Sequence, residues 1–180
     1  MRINEVLVTQ IKESQHIQLI KQECSQFIEE SCGSPLLKSL PNTYQNFQKV
    51  KVRHKKQKTV IGESFNNAFD VQFHKRAIFA NGEKSFHLNE NDDKFYIFPK
   101  DGYRYLYSTE VENSNLDYQL VFDSLCENFN AQKTIDIVTD MLRYNYIDNN
   151  LKEGISNGSE IILFDIPFYY AIRADIDYNF

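Results

Sequence analysis

Phe95-Tyr96-Ile97-Phe98-Pro99-Lys100-Asp101-Gly102-Tyr103-Arg104-Tyr105-Leu106-Tyr107-Ser108 decides the fold class of this chain. Phe95 to Phe98 is an apolar, aromatic run suited to a strand, and it stops at Pro99, which has no N–H to give to a ladder. Lys100-Asp101-Gly102 carries the chemistry of a tight turn. Beyond it Tyr103, Tyr105 and Tyr107 alternate with Arg104, Leu106 and Ser108, the period of two that marks a strand with one aromatic face. Such a tyrosine stripe is more often a packed sheet face than a binding platform; exposed, it would suit a protein interface. The centre of the chain is therefore β-rich.

Helical patterns lie on both sides of that centre. From Ser14 to Ser31 the apolar positions Ile17, Ile20, Cys24, Phe27 and Ile28 recur at helical spacing, with Ser14 as a cap and Gly33 as a stop, which predicts one amphipathic helix. Leu36 to Leu40, closed by Pro41, predicts a short strand. Glu63 to Phe73 sets Phe65, Ala68, Phe69 and Phe73 on one helical face, and Arg76 to Ala80 then predicts a strand running into the turn Asn81-Gly82. Between Asn115 and Tyr146 the pattern predicts two helices joined near Asn130. Glu160 to Ile172 is almost continuously apolar, broken only by Asp165 and Pro167, as for a buried strand, a bend and a paired strand. The expected fold class is α+β, with a mixed or antiparallel β core flanked by helices. We expect a single domain over residues 1–180, a helical segment at 1–34 leading into an α+β core at 35–180.

Composition narrows the function. At 180 residues the chain suffices for one core and is short for two. A net charge of −5 and a pI near 5.4 argue against a surface built to coat nucleic acid or an anionic membrane. The exception is local. Lys49, Lys51, Arg53, Lys55, Lys56 and Lys58 fall within one run, a solvated loop or a phosphate-attracting contact for nucleic acid, a pyrophosphate or an acidic partner. That run has no aromatic residue on which a base would stack. Cys24, Cys32 and Cys126 form no CxxC pair and suggest neither a disulfide framework nor a thiolate metal site; packed, reduced thiols are the simplest reading. The four histidines never fall in an HExxH spacing, and Asp92-Asp93 and Asp101 read as turn carboxylates, so no metal site is expected. Met1-Arg2-Ile3-Asn4-Glu5 lacks the build of a signal peptide and no run approaches the roughly 18 apolar residues that span a bilayer, so a soluble protein is expected.

One carboxylate stands out. Ser156-Asn157-Gly158-Ser159-Glu160-Ile161-Ile162-Leu163 is a turn-forming run that delivers Glu160 to the first position of a strongly apolar strand. A glutamate there suits catalysis, although carboxylates also begin strands for reasons of solubility and turn formation.

Three stretches carry a resemblance: Leu36-Leu37-Lys38, Arg76-Ala77-Ile78-Phe79-Ala80-Asn81-Gly82 followed by Phe98-Pro99, and Gly158-Ser159-Glu160-Ile161-Ile162-Leu163 running to Tyr169-Tyr170-Ala171-Ile172. In this order they resemble a group of uncharacterised tailed-bacteriophage proteins that look related to ADP-ribosyltransferases. The resemblance implies that fold, with Glu160 as the residue that stabilises an oxocarbenium-like transition state and Lys38 and Asn81 near an NAD dinucleotide. The sequence also departs from the enzymes. Lys38 stands where an arginine would grip phosphate in two places, Ala80-Asn81-Gly82 offers no hydroxyl where a serine would stand, and Gly158 replaces a second acidic or amide group. The resemblance therefore implies a decayed site that needs no cofactor, in a virion component or a module that binds a phage structural protein or a host factor, located in the virion or the host cytoplasm. The alternative is an active, NAD-dependent ADP-ribosyltransferase that modifies a host protein.

Overall fold

The computed structural model describes residues 15–52, 60–71, 77–111 and 113–176. Its helices are α1 (residues 15–23), α2 (Ser25–Ser31), α3 (Val60–Phe69), α4 (Ser114–Cys126), α5 (Ala131–Asn145) and α6 (Leu151–Asn157). Its strands are β1 (Leu37–Pro41), β2 (Phe47–Lys51), β3 (Ile78–Asn81), β4 (Asp92–Pro99), β5 (Arg104–Tyr107), β6 (Glu160–Phe164) and β7 (Phe168–Arg173). The strands form one sheet in the order β2-β7-β4-β1-β3-β6-β5, and each pairing among the described residues is antiparallel. The expected α+β class holds.

Short connections force this sheet to curl. In a flat sheet β4 and β5 would lie about 19 Å apart, four strand spacings. The chain from Pro99 to Arg104 spans at most about 18 Å even fully extended. The sheet yields between β1 and β3, which meet in one residue pair, Leu37 with Asn81. At that split the Lys38 ammonium donates to the Phe79 carbonyl at 2.6 Å. Phe27 of α2 sits between the two halves, with its ring 5.9 Å from Phe98 and 6.4 Å from Tyr103.

The sides of β6 face two different cores. Ile161 and Leu163 belong to the larger one, with Ile20, Cys24 and Phe27 of the first helices and Leu151 and Ile155 of α6. Ile162 and Phe164 belong to the other, beneath α3, α4 and α5, where Phe65, Tyr118 and Tyr146 pack ring against ring. A strand buried on both faces explains the unbroken apolar run of residues 161–164.

The first helix is not continuous. It bends at Cys24 because Asp101, in the turn after β4, inserts there: its carboxylate accepts from Ser25 Oγ and the Gln26 N–H, and its own N–H caps the Glu23 carbonyl. The left-handed residue that ends α2 is Cys32, ahead of Gly33; Ser14, the expected cap, lies outside the described residues. The basic run begins as β2, not as a loop, and β2 is an edge strand on which lysines discourage further pairing. Among the described residues helix α3 covers Val60–Phe69 and stops where Asp70 turns left-handed, while Phe73 and Arg76 lie outside the described residues. β7 is paired with β4 and β2, not with β6. Cys24 is buried as expected, but Cys32 and Cys126 are exposed.

Helix α6 has no counterpart among the sequence expectations, and the tyrosine stripe is its platform. Tyr105 Oη accepts from the Leu151 N–H at the start of the helix, and Gly154 lies flat on the Tyr107 ring, where a Cβ would stand 2.6 Å from the nearest ring carbon. Tyr103 and Tyr107 are buried. The stripe is a packed face.

Candidate functional site

The fold gathers the three residues singled out from the sequence. Glu160 opens β6 directly opposite Asn81 at the end of β3, and Asn81 is in turn the residue that meets β1 at Leu37, the neighbour of Lys38. Lys38 is close enough for its charge to favour the ionised form of Glu160.

Each of the three is already engaged. The Glu160 carboxylate accepts from the Ser114 N–H at 3.0 Å and from Ser114 Oγ at 2.5 Å. Ser114 is the first residue of α4, and its N–H is one of the four that a helix start leaves without an internal partner. Glu160 thus caps that helix from a distant strand, in the positive end of its dipole. Asn113 supports the same start, accepting from the Leu116 N–H while its own N–H goes to Asp117. Lys38 is held on the Phe79 carbonyl, and Asn81 donates through Nδ2 to Ser85 Oγ at 3.4 Å.

Burial raises the Glu160 carboxyl above the usual carboxylate value; the two Ser114 hydrogen bonds oppose the shift, and nearby Asp117 adds to it. Beside the pair lies Tyr146, buried, with a hydroxyl that feels Ser114 and Glu160 but closes no hydrogen bond of normal geometry among the described residues. Its pKa is driven upward, mainly by burial.

The backbone around Glu160 leaves little room for a second catalytic group. Gly158 adopts φ +80° as the C-terminal cap of α6, and a Cβ there would stand 2.9 Å from Lys84 Cβ. An acidic or amide residue two positions before Glu160 would carry both left-handed strain and a clash. At Gly82 a Cβ would fall 2.0 Å from the Ile155 carbonyl oxygen, so no side chain is accommodated there either.

A cleft of about 730 Å³ opens elsewhere, between the C-terminal end of α3 and the β5 edge. Its lining includes Glu30, Phe69, Asp70, Tyr103, Arg104 and Phe164, and none of Lys38, Asn81 and Glu160. Phe164 is at the far end of β6 from Glu160, four residues or about 13 Å along the strand. Arg104 there is committed to Asp165 at 2.8 Å and to the Asp70 carbonyl at 2.8 Å.

The basic run divides. Lys49 Nζ lies 3.6 Å from the centre of the Phe168 ring and 3.4 Å from Glu23. The Tyr170 hydroxyl, donating to the same carboxylate, is the main reason that Glu23 titrates below the usual value. Lys51 is exposed; Arg53, Lys55, Lys56 and Lys58 lie outside the described residues. Burial pushes the Cys24 thiol up to about 12, which disqualifies it as a nucleophile at neutral pH. Among the described residues no group of three or more His, Cys, Asp or Glu side chains is placed to hold a metal, and no helix is long and apolar enough to cross a membrane.

Sequence reasoning missed Ser114. Its local signal is the run Asn113-Ser114-Asn115-Leu116-Asp117, a cap residue followed by an acid in the first turn. That pattern locates a helix start but not a bond to a glutamate 46 residues away. No protein-family model, curated protein or solved structure matches this chain.

Proposed function

We propose that this chain is a binding module with an ADP-ribosyltransferase-like build and a decayed site, engaging a protein partner that is a phage structural protein or a host factor, in the virion or the host cytoplasm. The observation that carries this reading is the engagement of Glu160 by the N–H and hydroxyl of Ser114. A carboxylate that is to stabilise positive charge on a ribose must face the substrate, whereas this one commits one oxygen, Oε2, to both the N–H and the hydroxyl at a helix start. The left-handed Gly158 and the lysine held on a main-chain carbonyl point the same way.

The alternative, an active transferase that cleaves NAD, draws on one observation, the convergence of Lys38, Asn81 and Glu160 where the sheet splits. Calorimetric titration with NAD separates the two readings. The module reading predicts no heat of binding at millimolar NAD, for the wild type and for Glu160→Gln alike. Micromolar binding by the wild type, with NAD turnover that disappears in Glu160→Gln, would overturn it.

A further inference from the structure

Helix α4 carries two exposed leucines opposite its buried face, and α5 carries one exposed tyrosine beside two half-buried apolar residues. Inward, α4 packs Tyr118, Val121, Phe122 and Leu125, and α5 packs Val138 and Leu142 with the half-buried Met141, into the core beneath them. Outward, α4 presents Leu116 and Leu120 at a spacing of one turn, 58% and 62% exposed. On α5, Ile137, Met141 and Tyr144 repeat at i, i+4 and i+7 and line a shallow groove of about 440 Å³, the first two half-buried and Tyr144 91% exposed. The two helices run antiparallel and side by side, joined near their ends by Asn145 Nδ2 donating to Tyr118 Oη. An exposed apolar patch rimmed by polar groups marks an interaction site.

The rim says what fits. Residues 114–145 hold five acids against Lys133 and Arg143; Asp117 is turned to the Asn113 N–H and Asp140 to Arg143, which leaves Asp123, Glu127 and Asp136 exposed against Lys133. Arg143 is turned to Asp140 at 3.0 Å and to the Asn67 carbonyl at 3.0 Å. A second copy meeting this face by two-fold symmetry would oppose acid to acid, and an anionic membrane would be repelled. We infer that the outer face of α4 and α5 docks a basic amphipathic helix of a protein partner, its apolar stripe on Leu120, Met141 and Tyr144 and its lysines or arginines on the acidic rim. The inference rests on the binding-module reading for the existence of a partner and adds the partner's chemistry.

The test uses the full chain and three synthetic helical peptides: leucines on one face with lysines on the other, the same leucines with glutamates, and the lysines with serines in place of leucines. Binding is read by fluorescence anisotropy and by amide chemical shifts. The expected result is saturable binding of the leucine–lysine peptide only, with shifts confined to residues of α4 and α5. The exposed double variant Leu120→Ser/Tyr144→Ser, its fold checked by circular dichroism, should bind at least about tenfold more weakly. Equal binding of the glutamate or serine peptide, shifts centred elsewhere, absence of binding, an undiminished double variant, or a dimer in sedimentation that the double variant abolishes would overturn the inference. NAD binding by the wild type would instead overturn the module reading, and the peptide result would be read independently of it.

Discussion

Gly82→Ala lowers the thermal midpoint by about 6–12 °C, the shift that about 3 kcal/mol produces in a chain of this size. The cause is steric. Gly82 has an ordinary extended backbone, φ −68° and ψ 168°, so alanine carries no conformational penalty there, but its Cβ would lie 2.0 Å from the Ile155 carbonyl oxygen and 2.9 Å from the carbonyl carbon. Backbone cannot swing aside as a side-chain tip can, so α6 would have to retreat as a body. Its other contacts oppose that, because Gly154 rests on Tyr107, while Leu151 and Ile155 are buried in the main core. Gly33→Ala is the control. Its φ is +77° but nothing lies within 4 Å of the added Cβ, so only the left-handed penalty of about 1–2 kcal/mol applies. A Gly82→Ala protein that melts within about 2 °C of the wild type would mean that α6 does not pack here as described.

Raising the pH from about 9 to 11 removes about 4 kcal/mol of stability, a large share of the 5–15 kcal/mol that a folded domain holds. Tyr103, Tyr146 and Tyr169 are each more than nine-tenths buried, and burial, the leading cause in all three, drives their phenol pKa values above the ordinary value of 10. For Tyr103 the neighbouring Glu30, which accepts its hydroxyl proton at 2.5 Å, adds to the shift. A pKa raised on folding means that the unfolded chain loses its protons first. The stabilisation is therefore whole below about 10 and drains away as pH climbs toward the folded values, by about 1.4 kcal/mol per group at pH 11. Tyr170 shifts in the same direction through burial and its bond to Glu23. Urea midpoints at pH 9, 10 and 11, followed beside tyrosinate absorbance, should show these phenols ionising together with unfolding. Midpoints unchanged between pH 9 and 11 would contradict the burial of the three rings.

The sequence carried some elements plainly and hid others for identifiable reasons. β5 and β6 were legible because their patterns are undiluted, alternation in Tyr103 to Ser108 and a continuous apolar run in Ile161 to Phe164. α6 was hidden because it is short, carries Gly154 in its interior and ends in Ser156-Asn157-Gly158, which has the composition of a turn. Glycine weakens a helix locally, and only the distant Tyr107 ring explains its presence. β2 was hidden by Lys49 and Lys51, which suit a sheet edge but look like part of the basic run. The bend at Cys24 depends on Asp101, 75 residues from Gln26 in the chain.

The same division holds at the site. Glu160, Lys38 and Asn81 were visible as residue types, and their convergence follows from strand order. What Glu160 touches does not, because Ser114 reaches it only through packing of α4 on β6. A carboxylate at a strand mouth has one appearance in sequence whether it faces a substrate or caps a helix.

A double-mutant cycle between Ser114 and Glu160 tests directly whether this glutamate is a structural cap. Ser114→Ala, Glu160→Ala and the double variant would be compared by urea denaturation at pH 7. Ser114→Ala keeps the backbone N–H, so the cycle reads the one hydrogen bond from Ser114 Oγ to the half-buried carboxylate, which predicts a coupling of about 1.5–3 kcal/mol, the double variant being less destabilised than the two single changes summed. Additivity within about 0.5 kcal/mol would contradict the account and leave Glu160 available for chemistry.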